Sequence, residues 1–323
     1  MDLYADAGAD VVHLLIGLAL YRNAGDVGVQ EFGKAGADGL DMRPEARAFA
    51  DDCGVDIADR VAGCGDFRDD LFQSSPAKDF YDRMRNGAYP STAQVPLKEL
   101  IDTFTEVAES GVPTVYLAFS SGLSKTFEVA QMAAEQVQAE HPEMELYLVD
   151  SLTCAAGESL FIYEGIRQWE SGLSAKELAD WAMEARWKVN MYFTVESLDW
   201  LAHGGRLPGG VAFVGSKLNL KPIMCIGKDG AVTVSGAVRG RKKSLAKLRE
   251  IYEEKHDASS PYQQVFCQGG DCIQDSEGIL AELRAAHPGL ECYGGQTGPT
   301  IGTHGGPGVV LLAFWGPDRR QSK

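Results

Sequence analysis

Apolar and polar positions alternate with a helical period over the middle of the chain. Leu100, Phe104 and Val107 share one stripe, which predicts an amphipathic helix that ends at Gly111. The largely apolar run 114–119 follows and predicts a buried strand. Apolar strands separated by helices favour a parallel sheet covered on both faces, so the predicted fold class is α/β. The alternation continues with helices predicted at 125–140, 155–170 and 174–187 and a strand predicted at 145–150.

The pattern changes after residue 187. The apolar runs 221–226 and 231–238 flank Lys228, Asp229 and Gly230, which is the signature of a β-hairpin. This mixture predicts a second α/β domain with some antiparallel pairing, and the two predicted domains are residues 1–190 and 191–323. Strands are also predicted at 191–195, 264–268 and 308–315, and helices at 197–206, 240–254 and 276–286.

The composition narrows the classes of partner and cofactor. The chain has 323 residues and a net charge of −16, which repels phosphate backbones, so nucleic acid is not an expected partner. The seven cysteines are odd in number and contain no Cys-x-x-Cys pair, and Cys225 and Cys267 lie inside apolar runs. This usage indicates reduced thiols and a cytoplasmic protein. Cys and His do not cluster at ligand spacing, so no metal site and no cofactor are expected.

The most apolar segment, residues 11–21, is too short to span a bilayer. Acidic residues precede it, where a signal peptide would carry Lys or Arg. We therefore predict a buried helix or strand here and no stable insertion into a membrane, although transient contact with a membrane stays open.

Hydroxyl residues cluster where the strand at 114–119 ends. Residues 120–126, which we call the serine loop, contain three serines and one threonine. One hydroxyl can cap a helix, but four exceed what a cap requires. A strand that passes into a helix through small polar residues can also bind an anion at the positive end of the helix dipole. Three further polar clusters, at 90–94, 203–206 and 302–308, also lie at the ends of apolar runs.

Taken together, these segments resemble the DegV family. SSGLSKTFEVAQMAA is similar to that family's S-S-x-L-S-G-T-Y-x-S-A motif, YPSTAQ to its P-T-T-S-Q segment, and DSLTCAAGESL to its D-S-x-x-A-S-x-G-x-G segment. The stretch from SLDWLAHGGR to NLKPIM, VRGRKKSLAKL and GPTIGTHGGPGVV complete the set. The order holds over about residues 67–316, which is far more specific than any single motif. The chain departs from the motifs at Lys125 and Ala93, and only residues 6–10 are similar to the family's opening segment.

The resemblance implies a two-domain α/β protein that holds one long-chain fatty acid between a parallel-sheet domain and a mixed domain. The protein would be a non-catalytic carrier that needs no nucleophile of its own. By motif match, Thr92 and Ser124 are expected to hydrogen-bond the carboxylate, with Ser121 in the same loop. His304 and Thr303, in the loop 302–308, are expected close to it.

The resemblance also implies a protein partner. Some members of the family present the fatty acid to a separate subunit of a bacterial fatty-acid kinase, which phosphorylates its carboxylate. Arg206, together with Arg239 or Arg241, is expected on the surface that meets that kinase or a phosphorylated head group.

Two other functions stay open on the residues alone. A hydrolase or transferase would use Ser124 as a nucleophile and His304 as its base, but the sequence offers no third triad member and no G-x-S-x-G elbow. A nucleotide-binding protein would need a Walker loop, or G-x-G-x-x-G between a strand and a helix, and the sequence contains neither.

Overall fold

The computed structural model describes residues 13–16, 19–21, 54–56, 67–68, 72, 76–209 and 219–321. The predicted opening segment, residues 6–10, and the thiols Cys53 and Cys64 lie outside the described residues. The pattern of residues 11–21 predicts a buried helix or strand, and the described part of that segment forms two strands.

The secondary structure alternates between strands and helices through most of the described chain. The strands are β1 His13–Ile16, β2 Ala19–Tyr21, β3 Gly54–Asp56, β4 Phe67–Arg68, β5 Ser91–Thr92, β6 Thr114–Ala118, β7 Leu146–Asp150, β8 Val189–Thr194, β9 Leu220–Ile226, β10 Val232–Arg239, β11 Gln264–Gly269, β12 Glu291–Gln296 and β13 Val310–Trp315. The helices are α1 Ala77–Arg85, α2 Leu97–Ser110, α3 Thr126–Glu140, α4 Ala155–Glu170, α5 Ala175–Ala185, α6 Asp199–His203, α7 Arg241–Lys255, α8 Ile273–Ala286 and α9 Pro299–Gly305.

Two main sheets organise the molecule. The first has the order β2-β1-β6-β7, in which β1, β6 and β7 run parallel and β2 is antiparallel to β1. The second has the order β10-β9-β8-β13-β11-β12 and is antiparallel except for the pair β11 and β12. The predicted hairpin is confirmed, because β9 and β10 pair antiparallel on either side of residues 227–231. A small third sheet, β4-β3-β5, completes the described strands.

Successive residues of one strand face different helix layers, as the two-residue period of a strand requires. In β6, Val115 and Leu117 pack with α4 and α5, whereas Tyr116 and Ala118 pack with α2 and α3. In the second sheet, Phe193 of β8 faces α4 and α5, while Tyr192 packs with α7 and α8. The layers therefore run α2/α3, first sheet, α4/α5, second sheet, α7/α8, and the α/β fold class is confirmed.

The middle layer connects the two sheets into one apolar core. Helix α5 contacts β6 and β7 of the first sheet, and α4 contacts β8, β11 and β13 of the second. Residue 190, the predicted domain boundary, is the second residue of β8. The serine loop, beside the first sheet, and residues 227–231, at the end of β9 in the second sheet, meet at one end of this arrangement. We call the first sheet and the second sheet, each with its outer helices, the two halves of the molecule.

One element differs from the expectation in a way that matters for function. The sequence predicts residues 302–308 as a loop, but the first four of them belong to α9. Pro299 opens this helix, where its fixed φ and missing N–H are tolerated, and Gly306 ends it with a φ of 75°. His304 therefore projects from the last turn of a helix that contacts β3 and β5.

Candidate functional site

Thr92 and His304 form a direct pair, although 212 positions separate them in the sequence. The Thr92 hydroxyl lies 2.8 Å from His304 Nε2. Thr92 lies on β5 and does not cap α2, because α2 begins after Pro96 and has no side-chain cap. The structure brings together two of the residues that the motifs assigned to the carboxylate.

His304 is held as a neutral ring. Burial is the main cause that lowers its pKa from 6.5 to about 4, and the electrostatic effect of the neighbouring Arg206 and His203 side chains lowers it further. Its Nδ1 atom is buried and has no hydrogen-bond partner among the described residues. Nδ1 packs against Gly204, where a Cβ atom would lie only 2.0 Å away. A bare lone pair costs less in this position than an N–H group without an acceptor, so the geometry favours the tautomer with the proton on Nε2.

The serine loop uses several of its hydroxyls to build its own shape. Ser120 is fully buried and donates to the Gly230 carbonyl at 2.8 Å. The Ser121 hydroxyl and backbone N–H both donate to the Asp150 carboxylate at the end of β7. Ser124 accepts the Thr126 N–H in a local turn before α3, whose N-cap residue Lys125 has no side-chain cap. The surplus of hydroxyls is therefore explained in part by local structure.

A cleft of about 460 Å³ opens between the two halves beside Ser124. The Ser124 and Thr126 hydroxyls are 2.9 Å apart, and either can donate to the other. When Thr126 donates, the hydrogen of Ser124 is free to point into the cleft. The cleft is lined by residues 121–125, 205–208 and 231–232.

Arg206 connects the serine loop with the His304 region. Its Nε and Nη2 atoms donate to the Leu123 carbonyl at 3.1 and 2.9 Å, and Nη1 donates to the Gly204 carbonyl at 2.6 Å. Burial lowers the pKa of this guanidinium. Arg206 thus lies half-buried in the cleft wall and holds the loop that carries Ser124.

The other predicted site residues, Thr303, Arg241 and Arg239, do not line the cleft. Thr303 is buried and donates to the Pro299 carbonyl one turn earlier in α9. The Arg241 guanidinium donates to the Asp275 carboxylate at 2.6 and 2.9 Å and to the Gly308 carbonyl. It also forms an ion pair with Glu196. Arg239 is exposed at the end of β10.

Three glycines shape this site through close contacts that the sequence does not indicate. Gly204 makes room for His304 Nδ1. Gly122 of the serine loop packs so closely on residues 229–231 that a Cβ atom would lie 2.5 Å from the Asp229 carbonyl oxygen. Gly230 adopts a φ of 74° and accepts the Ser120 hydrogen bond. The Gly-Gly pair and the Lys-Asp-Gly turn were visible in the sequence, but not the surfaces against which they pack.

The hydrogen bonds of Ser124 and His304 do not join these two residues. His304 Nε2 bonds to Thr92, and the Ser124 hydroxyl bonds to Thr126. The described geometry therefore lacks the nucleophile–base contact that serine catalysis needs. What it offers is hydroxyl donors and a neutral imidazole, which suit the recognition of a carboxylate. In the parts of the chain that the structure describes, no helix combines the length and apolar character needed to cross a membrane.

Comparisons with known proteins identify sequences that are similar to most of this chain. The family model described as "uncharacterised protein, DegV family" matches residues 63–315. A DegV domain-containing protein of Clostridium perfringens is 32% identical over 251 residues, which make up 78% of this chain and 86% of that protein.

Solved structures share the fold at lower identity. A DegV family protein of Ruminococcus gnavus with vaccenic acid superposes with a TM-score of 0.71 at 19% identity, covering 80% of this chain and 89% of that one. The fatty acid kinase B3 protein of Streptococcus pneumoniae, loaded with linoleic acid, gives 0.69 at 18% identity, covering 82% and 89%.

Proposed function

The chain belongs to the DegV family, and from that premise we propose that it binds one long-chain fatty acid. Hydroxyl groups hold the carboxylate, and the acyl chain is covered by both halves of the molecule. The two structural relatives named above carry fatty acids, which supports this ligand class. The protein acts as a carrier and contributes no nucleophile.

The Thr92–His304 pair is the observation that carries the proposal. With its proton on Nε2, His304 donates to the Thr92 oxygen, and the Thr92 hydrogen is then free for a ligand oxygen. The neutral ring adds no buried charge, so the carboxylate is bound by hydrogen bonds alone at this point. His304 is thus a positioning residue for Thr92. Ser124 lines the cleft on the loop that Arg206 holds through the Leu123 carbonyl, and its hydroxyl supplies a second donor to the carboxylate.

The acyl chain supplies most of the gross affinity. Each buried methylene contributes about 0.8 kcal/mol, so about fifteen methylenes contribute on the order of 12 kcal/mol before association costs. Head-group bonds of about 1–3 kcal/mol each then decide which end of the ligand is recognised. A carrier of this kind binds through the tail and orients the head.

The direct test is to identify the ligand that the protein carries. Native mass spectrometry of the purified protein should show the mass of the chain plus one fatty acid, and solvent extraction should release that acid. A protein that shows no bound fatty acid, and takes none up from hexadecanoic acid at micromolar concentration, would contradict the proposal.

Variants test the head-group assignment. Thr92→Val and Ser124→Ala should each weaken the binding of hexadecanoic acid by about 1–3 kcal/mol, because each removes a donor to the carboxylate. Thr105→Val is the matched control, since the Thr105 hydroxyl donates only within α2, to the Ile101 carbonyl. Unchanged affinity in Thr92→Val would remove Thr92 from the site.

We further propose that the bound acid is presented to a fatty-acid kinase subunit through the start of α7. Arg239, Lys242 and Lys243 are exposed there and have no ion-pair partner among the described residues. In a chain with a net charge of −16, such a cationic surface favours an acidic partner. Arg241 is already paired with Asp275 and Glu196, so its role is to hold the helix start.

Charge reversal separates this docking role from lipid binding. Arg239→Glu combined with Lys242→Glu should leave the co-purified fatty acid in place and reduce acyl-phosphate formation by a bacterial fatty-acid kinase subunit and ATP about tenfold. Lys98→Glu, on the outer helix α2, is the control. Loss of the lipid, or undiminished phosphorylation, would contradict docking at α7.

A further inference from the structure

Arg319 joins the two halves of the molecule from a buried position near the end of the described chain. It is 5% exposed. Its Nη1 atom donates to the carbonyls of Ile226 and Gly227 at 3.4 and 2.8 Å, both at the end of β9. Its Nη2 atom donates to the carbonyls of Leu152 and Arg186 at 3.1 and 2.8 Å, which follow β7 and α5. One side chain therefore bonds to backbone on both sides of the junction.

The partners of this guanidinium are all carbonyls in the described structure. Burial lowers the pKa of Arg319 to about 10, which leaves the group charged at neutral pH. A buried charge without a carboxylate in contact is costly unless its hydrogens are well used. The two terminal nitrogens of Arg319 serve four carbonyls at once, which a lysine ammonium with three donors cannot do, whereas its Nε has no hydrogen-bond partner among the described residues. Arg319 therefore holds its four carbonyl partners through the directions of its hydrogen bonds and not through an ion pair.

The backbone that Arg319 holds leads directly to the serine loop. Residues 227–231, which we call the β9–β10 turn, are closed by the Gly227 N–H bond to the Ala231 carbonyl. In this turn, the Gly230 carbonyl accepts the hydrogen bond of the Ser120 hydroxyl, and Gly122 lies in close contact with the backbone of the turn. Ala231, at the end of the turn, lines the same cleft as Ser124. A short series of contacts thus runs from Arg319 to the cleft wall.

We propose that Arg319 is a positioning residue that sets the width of the head-group cleft and thereby its selectivity for a carboxylate. It fixes the β9–β10 turn against the serine loop, so that the cleft closes on the head of the ligand. The inference rests on the proposed function. Loosening the turn weakens the short, directional bonds to the head group, while the contacts of the acyl chain change little, because apolar contact is not directional.

A pair of ligands with the same tail separates these effects. Arg319→Lys should bind hexadecanoic acid about tenfold more weakly than the wild type, equal to about 1.4 kcal/mol, and bind hexadecan-1-ol within about twofold. The control is Arg320→Met, since Arg320 is exposed and pairs with Asp318 and Glu184. It should leave both affinities unchanged. Equal losses for acid and alcohol, or no loss for either, would overturn the proposal.

A second variant tests the same contact from the other side. Gly122→Ala places a methyl group against the Asp229 carbonyl and should push the turn away without touching Arg319. It should show the same selective loss for the acid, and the double variant should lose less than the sum of the two, because both act on one contact. If Arg319→Lys does not fold, Gly122→Ala carries the test alone. Equal weakening of both ligands in it would overturn the proposal.

Hydrogen exchange makes failure of this inference distinguishable from failure of the proposed function. The Gly227 and Gly230 amides are bonded within the turn. In Arg319→Lys without ligand they should exchange at least about tenfold faster than in the wild type, because the turn opens locally. Unchanged exchange rejects the role of Arg319 even if the wild type binds fatty acid. Faster exchange in a protein that binds no fatty acid rejects the carrier function instead.

Discussion

The serine loop and the Thr92–His304 pair both present hydroxyl groups at the junction of the two halves, but they use them differently. In the loop, Ser120 and Ser121 donate to Gly230 and Asp150, so their hydrogens are committed to the fold. In the pair, the tautomer of the neutral His304 that the geometry favours donates from Nε2 to the Thr92 oxygen, which leaves the Thr92 hydrogen available. The sequence marks the loop more strongly, yet the pair is better prepared to bind a ligand. An abundance of polar residues is therefore a poor guide to which of them keeps a hydrogen available for a ligand.

The largest effect is expected from filling the space that the pair requires. Gly204→Val would place a side chain in contact with His304 Nδ1 and force the ring away from Thr92. We expect the affinity for hexadecanoic acid to fall roughly a hundredfold, equal to about 3 kcal/mol, because the displaced ring no longer orients the Thr92 hydroxyl. Isothermal titration calorimetry at pH 7.5 measures the change.

Gly209 provides the control for this substitution. No atom of the described residues lies within 4 Å of a Cβ atom at that position, so Gly209→Ala should bind normally. If Gly204→Val also bound normally while folded, the space beside His304 would not matter, and the pair would be no more specialised than the loop.

The second effect concerns the charge state of the pair. The folded pKa of His304 is about 4, below its ordinary value of 6.5, so the unfolded chain takes up a proton that the folded chain refuses. The lowered pKa of His304 therefore contributes to the free energy of unfolding in full above pH 6.5, and this contribution is lost as the pH falls toward 4. The free energy of unfolding should drop by about 2 kcal/mol between pH 8 and pH 5 from this group alone.

Urea unfolding of the wild type and of His304→Gln at both pH values isolates this contribution, because the other titrating groups are common to the two proteins. The variant should lose about 2 kcal/mol less over the same interval. Equal losses would mean that His304 titrates normally in the folded state, and the argument for a neutral ring that orients Thr92 would fail.

Much of the layered fold could be predicted from the sequence because its signals are local. The apolar residues of β6 and the stripe of α2 indicate a buried strand and an amphipathic helix, and both are present. The turn at Gly230 follows from the Lys-Asp-Gly signal between two apolar runs. Such features depend on residues within about ten positions of one another, which a periodicity argument can use.

The site was predictable only as far as motif resemblance reached. Thr92 and His304 meet across 212 positions, and no spacing rule links them. Arg241 belongs to a basic run typical of an exposed surface, but Asp275 and Glu196 neutralise it once the chain has folded. Arg319 carries no signal at all, since an arginine is usually exposed and this one is 5% exposed. Long-range contacts of polar groups decide these roles.

The smallest change in affinity is expected from Ser121, and it tests the comparison from the side of the loop. Ser121→Ala removes the hydroxyl that donates to the buried Asp150 carboxylate. In the variant, that carboxylate still accepts hydrogen bonds from the backbone N–H groups of Ser121 and Leu152. The free energy of unfolding should fall by about 1.5 kcal/mol, since a hydrogen bond to a charged group is lost. The affinity for hexadecanoic acid should stay within about threefold, because the loop retains its backbone bonds. A variant of normal stability that binds tenfold more weakly would assign the Ser121 hydroxyl to the ligand, and the loop would then share in head-group binding with Thr92 and His304.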